Sequence, residues 1–282
     1  FIIINSIVDI IYVKLDPRIK IWFLKKRKLL AGNWKMNLTF QESLDLVSKI
    51  NEYQFDNIDV KVAPAFTYLQ KLSDCLSSSK IEVIAQNIHH EIRGAYTGEI
   101  SCEMLKSIDI NTVIIGHSER RNIFNESTAI VSNKINSATK NSMNVIYCIG
   151  EHLVQRESHK HFEVIKSQIE NEVFYLNEND FSKITIAYEP VWAIGTGKTA
   201  NTNQIQSMHK YIRDLVKTRY SADISKRLRI LYGGSVKPSN ASEIFSLDDV
   251  DGALIGGASL NAKDFLEILN ISNEWWYFTL YI

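Results

Sequence analysis

The chain has 282 residues with 32 basic and 32 acidic side chains, and 45% of its residues are hydrophobic. This is an ordinary globular composition, long enough for one large core or two small ones. Because the formal net charge is zero, the basic excess of nucleic-acid-binding proteins is missing, and no nucleic-acid partner is predicted. Three widely spaced cysteines without a CxxC pair argue against a disulfide scaffold or a zinc site and favour a reducing cytoplasm.

The first segment, residues 1–26, shows no regular pattern. Its two apolar patches, residues 1–13 and 19–24, fall well short of the roughly 20 consecutive apolar residues that a membrane span requires. No membrane partner is therefore predicted. We interpret the basic run at residues 25–28 as a solvated approach to the first strand, with targeting or phosphate-backbone contact as the alternative. Residues 1–26 are expected to form an extension, and residues 273–282, with their packed aromatics, a tail.

From residue 28 onward, short apolar runs alternate with amphipathic stretches that have room for helices. Nearly continuous apolar runs are typical of parallel strands that are covered on both faces. Eight strand–helix units predict a single-domain (β/α)8 TIM barrel over residues 27–272, with an open doubly wound sheet as the alternative. The eight runs are Leu29–Ala31, Ile58–Ala63, Ile81–Ala85, Thr112–Ile115, Asn144–Ile149, Ile184–Ala187, Leu228–Leu231 and Gly252–Ile255.

Polar residues and glycines follow the carboxyl ends of these runs, where the loops of a βα barrel build its active site. The pairs Gly233-Gly234 and Gly256-Gly257 follow the last two strands. Glycine lets the backbone N–H groups approach an anion closely, so these pairs favour a phosphate site over two tight turns. Lys35 would add a positive charge, and we expect it to share a strand face with Asn33.

Two further residues are candidates for acid–base chemistry. His117 precedes an apparent helix start, which disfavours a cation, so a neutral, hydrogen-bond-donating imidazole is predicted rather than a structural one. Glu189 projects from a strand end and is restricted to extended backbone by Pro190. A carboxylate there is a suitable base for removing a proton from carbon next to a carbonyl, although a strand-end ion pair is the simpler alternative.

The segment Gly195–Ala200 contains a GKT triplet but has Trp192 where a Walker A loop needs glycine, so it is not a P-loop. It also fits G-x-G-x-x-A, but lies too far from the preceding strand for a dinucleotide fingerprint. We interpret it as a glycine-rich lid. The histidines do not form an H-E-x-x-H motif, and neither metal nor cofactor is predicted.

Five motifs, taken together and in this order, resemble the triosephosphate isomerase family from about residue 27 to about residue 270. They are Ala31–Asn37 (AGNWKMN), Gly116–Arg121 (GHSERR), Tyr188–Ala200 (YEPVWAIGTGKTA), Tyr232–Val236 (YGGSV) and Gly256–Leu260 (GGASL). The resemblance implies interconversion of dihydroxyacetone phosphate and D-glyceraldehyde 3-phosphate in glycolysis and gluconeogenesis.

The resemblance also implies roles for individual residues. Glu189 would be the proton-shuttling base, and His117 the neutral group that polarises the carbonyl. Lys35, with Asn33 beside it, would steady the anionic substrate, and Glu119 matches the family's inner acidic residue. Backbone N–H groups of Gly195, Ser235, Gly256 and Gly257 would hold the phosphate.

The resemblance further implies a lid over Pro190–Ala200 and a homodimer in which Thr97 reaches the neighbouring site. Two alternatives belong to other functional classes. A non-catalytic barrel kept for binding would need a broken set of site residues. Another phosphate-binding barrel enzyme would share the glycine pairs, but not Glu189 ahead of a Gly-Thr-Gly-Lys segment.

Overall fold

A computed structural model describes residues 26–194 and 199–278, with side chains described up to residue 273. Eight strands lie in this part of the chain. They are β1 (Lys28–Asn33), β2 (Ile58–Ala63), β3 (Ile81–Val83), β4 (Thr112–Ile115), β5 (Asn144–Ile149), β6 (Ile184–Tyr188), β7 (Ile230–Tyr232) and β8 (Gly252–Ile255).

Helices follow the strands along the chain. They are α1 (Phe40–Asn51), α2 (Leu69–Cys75), α3 (Cys102–Lys106), α4 (Ser118–Asn122), α5 (Thr128–Lys140), α6 (Leu153–Glu157), α7 (His161–Glu172), α8 (Glu178–Phe181), α9 (Thr202–Arg219), α10 (Ala222–Arg227), α11 (Pro238–Ser246) and α12 (Ala262–Phe278). Short 3₁₀ turns cover Phe66–Tyr68, Val191–Ala193 and Gly257–Leu260.

The strands form one sheet in the order β3-β2-β1-β8-β7-β6-β5-β4, and every neighbouring pair is parallel. The sheet closes between its two outer strands. Ala85 donates a hydrogen bond to the Thr112 carbonyl (2.9 Å) and accepts one from the Ile114 N–H (2.8 Å). The predicted (β/α)8 barrel is therefore confirmed, and the open doubly wound sheet is wrong.

Two apolar layers hold the barrel together. The inner layer fills the barrel with small and branched side chains, including Ala31, Ala63, Ile114 and Leu254. The outer layer lies between the strands and the ring of helices and is much larger. Because both faces of each strand are buried, the strands hold the residues at their carboxyl ends in fixed positions.

One expected strand boundary differs from the structure. Strand β7 begins at Ile230 rather than Leu228, because Leu228 ends α10 and donates its N–H to the Ile224 carbonyl (2.9 Å). Helix α12 continues past the expected boundary at residue 273 to Phe278. No glycine or proline interrupts residues 262–278, so the sequence contains no helix-stop signal there. None of the helices within the described residues has the length and apolar character needed to cross a membrane.

Candidate active site

One cleft of ≈ 910 Å³ opens at the carboxyl end of the barrel. It brings together the predicted site residues that lie in the described part of the chain. These are Asn33, Lys35, His117, Glu119, Glu189, Ser235, Gly256 and Gly257. They come from five different strand ends, so only the closed barrel makes them neighbours. The remaining predicted residue, Gly195, lies outside the described residues.

Glu189 directly follows β6 and its side chain is buried, with 2% of its surface exposed. One carboxylate oxygen lies 3.0 Å from Nε2 of His117. The other accepts a hydrogen bond from the backbone N–H of Ser118 at 2.8 Å. One oxygen of this carboxylate accepts a hydrogen bond and the other contacts the imidazole, so both are directed at the turn that follows β4.

His117 is the N-cap residue of α4, and its Nδ1 accepts a hydrogen bond from the Glu119 N–H at 3.2 Å. An imidazole nitrogen that accepts a hydrogen bond carries no proton. The proton of a neutral ring therefore sits on Nε2, facing Glu189 and the cleft. This contact assigns the tautomer of a neutral ring from the hydrogen-bond network, and the donating role of His117 stays a prediction.

Lys35 reaches the cleft in a different way from that expected. Strand β1 ends at Asn33, and Lys35 adopts a left-handed backbone conformation with φ 55°. The two residues therefore do not share a strand face; instead the Lys35 N–H donates to Oδ1 of Asn33 at 3.1 Å. The Lys35 ammonium pairs with Glu119 at 2.6 Å. A positive φ in a residue with a side chain is strained and is found mainly at functional sites.

The glycine pairs lie beside this lysine. Gly256 precedes the 3₁₀ turn Gly257–Leu260, and a methyl group at Gly256 would lie 3.5 Å from Cε of Lys35. Ser235 lines the same part of the cleft. Glycine backbone, a 3₁₀ start and a lysine ammonium are together suited to an anion.

Two glycines matter for a reason that the sequence did not reveal. A methyl group at Gly233 would lie 2.8 Å from Cγ of Glu189, and one at Gly150 would lie 1.7 Å from the Glu189 carbonyl oxygen. Both positions must stay free of a side chain for Glu189 to occupy its place. The sequence contains a weak signal for Gly150, because this glycine directly follows an apolar run.

A buried carboxylate anchors the residues after Glu189 and was also missed. Oε1 of Glu151 accepts hydrogen bonds from Trp192 Nε1 (2.9 Å) and the Tyr188 hydroxyl (3.0 Å), with Arg156 at 3.5 Å. Burial raises the pKa of Glu151, and these contacts offset part of that effect. The sequence signal for Glu151 was its position, because it is a charged residue two positions after a buried strand. The predicted lid is described at residues 190–194 and 199–200 only.

An ionic network holds the turn that contains His117 in place. Arg121 donates to the carbonyl of Gly116 (2.8 Å), which has φ 75°, and binds Glu172 through two nitrogens (2.7 and 2.6 Å). Burial alone would lower the pKa of Arg121, but the Glu172 carboxylate outweighs it and raises that pKa. The Tyr147 hydroxyl completes the network with a bond to Glu172 (2.7 Å). Such a closed ionic network positions the backbone at the end of β4.

Within residues 26–194 and 199–278, no group of three or more histidine, cysteine or acidic side chains is arranged to hold a metal ion.

Comparison with known proteins identifies the family. The sequence model of the triosephosphate isomerase family matches residues 28–272. Three curated triosephosphate isomerases are similar to this chain, and each alignment covers 86–87% of the chain and 98–99% of the relative. They come from Flavobacterium johnsoniae (50% identical), Flavobacterium psychrophilum (49%) and Finegoldia magna (48%). The matched region contains every strand of the barrel and every residue of the cleft, and the chain therefore belongs to the triosephosphate isomerase family.

Proposed function

We propose that the chain is an aldose–ketose isomerase that interconverts dihydroxyacetone phosphate and D-glyceraldehyde 3-phosphate, with Glu189 as the base. Family membership supports the reaction. The observation that carries the role of Glu189 is its buried carboxylate, which faces the Nε2 of a neutral imidazole at 3.0 Å in the mouth of the barrel. A base and a hydrogen-bond donor side by side are what removal of a proton next to a carbonyl requires.

In this proposal the Glu189 carboxylate takes a proton from one carbon of the triose and returns it to the neighbouring carbon. The hydrogen bond from Ser118 and the contact with His117 hold the carboxylate in place before substrate enters. When the substrate carbonyl displaces Glu189 from His117, the Nε2 proton is free to bond the carbonyl oxygen. The same proton then stabilises the enediolate oxygen as negative charge develops on it.

Lys35 and backbone N–H groups after β7 and β8 bind the phosphate. The Lys35 ammonium lies between Glu119 and the Gly256 backbone, so its charge acts on both the reacting end and the phosphate end of a bound triose. Backbone N–H groups of Ser235, Gly256 and Gly257, together with Gly195, supply hydrogen bonds to the phosphate oxygens. A lid over residues 190–200 excludes water from an enediolate that would otherwise lose phosphate.

We propose further that the chain works as a homodimer. Residues 93–99 are all exposed, yet the loop that contains them is closed at its base by a bond from the His89 N–H to the Ile100 carbonyl (2.8 Å). Its Tyr96 ring packs on His89 with ring centroids 4.4 Å apart and is 45% exposed. A preformed loop with an exposed aromatic side chain is suited to insertion into a neighbouring subunit. Thr97 at its tip would reach the neighbouring cleft.

The domain in this proposal comprises residues 27–272, with residues 1–26 and 273–282 outside it. The proposed compartment is the cytoplasm, because Cys75, Cys102 and Cys148 are all free thiols.

The proposal is tested by Glu189→Gln, which keeps the size of the side chain but removes the base. Turnover of D-glyceraldehyde 3-phosphate in a coupled assay should fall by a factor on the order of a thousand or more. Affinity for glycerol 3-phosphate, which carries the phosphate but no carbonyl, should change far less. The control is Glu267→Gln, the same substitution elsewhere on the cleft wall, which should retain the parent rate.

Parent-like turnover by Glu189→Gln would show that the base is assigned wrongly. A parent chain that binds glycerol 3-phosphate but turns over neither triose phosphate would instead support the non-catalytic barrel.

A further inference from the structure

A second polar cavity, of ≈ 250 Å³, lies at the opposite end of the barrel from the cleft. It is lined where the strands begin, by Lys61 of β2, Thr112 of β4, Asn144 of β5 and Thr185 of β6. Three further cations complete its wall, and they are Lys183, Arg227 and Arg229. The proposed isomerase reaction uses none of these residues.

The charges around this cavity do not balance. Its wall contains four basic side chains and no carboxylate. Three carboxylates lie just behind the wall. Glu82 pairs with Lys61 (2.5 Å), Asp180 with Lys183 (2.8 Å), and Asp59 is shared between Arg229 (2.5 Å) and Arg27 (3.3 Å). Within this group, five cations are matched by three carboxylates, which leaves an excess of two positive charges beside the cavity. Within the described part of the chain, Arg227 has no ion-pair partner.

The wall also offers hydrogen-bond donors that the protein does not use. Lys61 directs two of its three N–H groups to Glu82 and Thr112. The Asn144 side-chain amide and the Thr185 hydroxyl have no hydrogen-bond partner among the described residues, and neither has the exposed Arg227 guanidinium. A pocket with spare donors on several sides and an excess positive charge binds an oxyanion with many acceptor sites.

We propose that this cavity is a second anion site, which binds a small phosphate-type dianion at the amino end of the barrel. A net charge of plus two matches a dianion, and the Arg227 guanidinium can bind two phosphate oxygens at once. The volume admits inorganic phosphate or a small phosphate monoester. Because the cavity and the cleft lie at opposite ends of the strands, both sites can be occupied together.

The test uses inorganic phosphate as the probe and measures its binding at each end of the barrel separately. The parent chain is labelled with ¹⁵N and titrated with inorganic phosphate, and in a second arm with glycerol 3-phosphate, at constant ionic strength maintained with chloride. Amide signals of Asn144 and Thr185 report the proposed site, whereas those of Gly256 and Gly257 report the cleft. Saturable shifts are expected at both ends, and the anion that saturates Asn144 and Thr185 at lower concentration identifies the preferred form.

The variant is Arg227→Gln, matched by Lys226→Gln. Both residues are exposed at the end of α10 and both changes remove one positive charge, but only Arg227 lines the cavity. Arg227→Gln should weaken phosphate binding, as reported by Asn144 and Thr185, at least on the order of tenfold, since the charge and its two hydrogen bonds to phosphate are lost. Its cleft signals and its turnover should be unchanged, and Lys226→Gln should bind as the parent does.

The proposal is overturned if Asn144 and Thr185 shift without saturating, which would indicate screening by bulk ions. Equal weakening by Arg227→Gln and Lys226→Gln would overturn it too, because the effect would then be one of net charge alone.

Discussion

At the scale of single residues, Gly233 controls the position of the proposed base. A methyl group there would lie 2.8 Å from Cγ of Glu189 and 3.2 Å from the Tyr188 carbonyl oxygen, so Gly233→Ala must push the carboxylate aside. A displacement near 1 Å at a reacting group costs on the order of a hundredfold in rate. We expect kcat to fall by about that factor while KM changes little, as measured by steady-state kinetics with D-glyceraldehyde 3-phosphate.

Gly257→Ala is the matched control. A methyl group at Gly257 meets no atom within 4 Å, and the substitution keeps the backbone N–H. Its kcat should stay within a few-fold of the parent, and any loss should fall on KM, because this glycine faces the phosphate rather than the base. Equal losses of kcat in the two variants would contradict the positioning argument.

The sequence predicted which side chains gather in the cleft, but not how they are held. Glu189 and His117 could be found because a polar residue directly after a buried parallel strand faces the active end of a barrel. The left-handed φ of Lys35 and the contact of Gly233 with Glu189 could not be found. Both depend on distances between strands that are far apart in the sequence and become neighbours only when the barrel closes.

At the scale of elements, the segment after β6 is anchored by Trp192 on Glu151. Trp192→Phe keeps an aromatic ring but removes the N–H that donates to Glu151 at 2.9 Å. A hydrogen bond to a buried carboxylate is worth about 1.5 to 3 kcal/mol, so the anchor should loosen. We expect slower turnover and increased release of inorganic phosphate from the enediolate, measured as isomerised product and free phosphate in one reaction.

The variant Tyr188→Phe tests whether the effect of Trp192→Phe comes from a loosened lid or from a general loss of stability. It removes another donor to the same Glu151 oxygen, at 3.0 Å, but Tyr188 belongs to strand β6 rather than to the lid. Both variants should unfold at lower urea concentration than the parent. Only Trp192→Phe should release extra phosphate, and the same phosphate release from Tyr188→Phe would refute the anchoring role.

Helix α9 packs on β6 and β7 through a fully buried histidine. His209 contacts the Asp249 carbonyl oxygen through Nδ1 (3.2 Å), and its Nε2 has no hydrogen-bond partner within the described residues. Burial lowers the pKa of His209 to about 4, an effect that the Asp249 carbonyl only partly offsets. The folded protein therefore resists protonation that the unfolded chain accepts near pH 6.5.

The sign of the pH dependence follows from this difference. Between about pH 6.5 and pH 4 the unfolded chain gains a proton that the folded chain does not, so the free energy of unfolding should fall as the pH falls. The loss attributable to His209 is on the order of 3 kcal/mol. Urea unfolding should show that the free energy of unfolding of His209→Gln falls less steeply with falling pH than that of the parent. The control His152→Gln, which changes an exposed histidine, should show the same slope as the parent. A parent-like slope in His209→Gln would contradict the assignment.

Element boundaries could be predicted only where the sequence contains a local signal. Apolar runs placed the strands to within about two residues. The domain end at residue 272 stays a prediction from composition; α12 runs through it to Phe278, where the sequence has no glycine or proline to mark a helix stop. The buried Glu151 anchor was not predicted, since a lone acidic residue after a strand does not reveal its partners 37 and 41 positions away.

At the scale of the whole molecule, the barrel separates two ends with different electrostatics. The carboxyl end holds the ion pair of Lys35 with Glu119 and the contact of the His117 imidazole with Glu189. The amino end holds an excess of cations around the second cavity. Between them lies the apolar inner layer of the barrel, which includes Ala31, Ala63 and Leu231. Both ends are built on the same eight strands, and each has its own set of residues for substitution.

The last prediction concerns assembly through the exposed loop at residues 91–99. Light scattering of the parent should give twice the chain mass, and turnover per chain should fall on dilution once dimers dissociate. Tyr96→Asp places a charge on the exposed ring position that the proposed interface would bury, so dimers should dissociate at higher protein concentration than in the parent. The matched control is Tyr53→Asp. Tyr53 is 47% exposed, compared with 45% for Tyr96, but it lies after α1 and outside the exposed loop. Tyr53→Asp should remain dimeric and active. A fully active monomeric parent, or identical masses for the two variants at every concentration, would show that this loop does not hold two chains together.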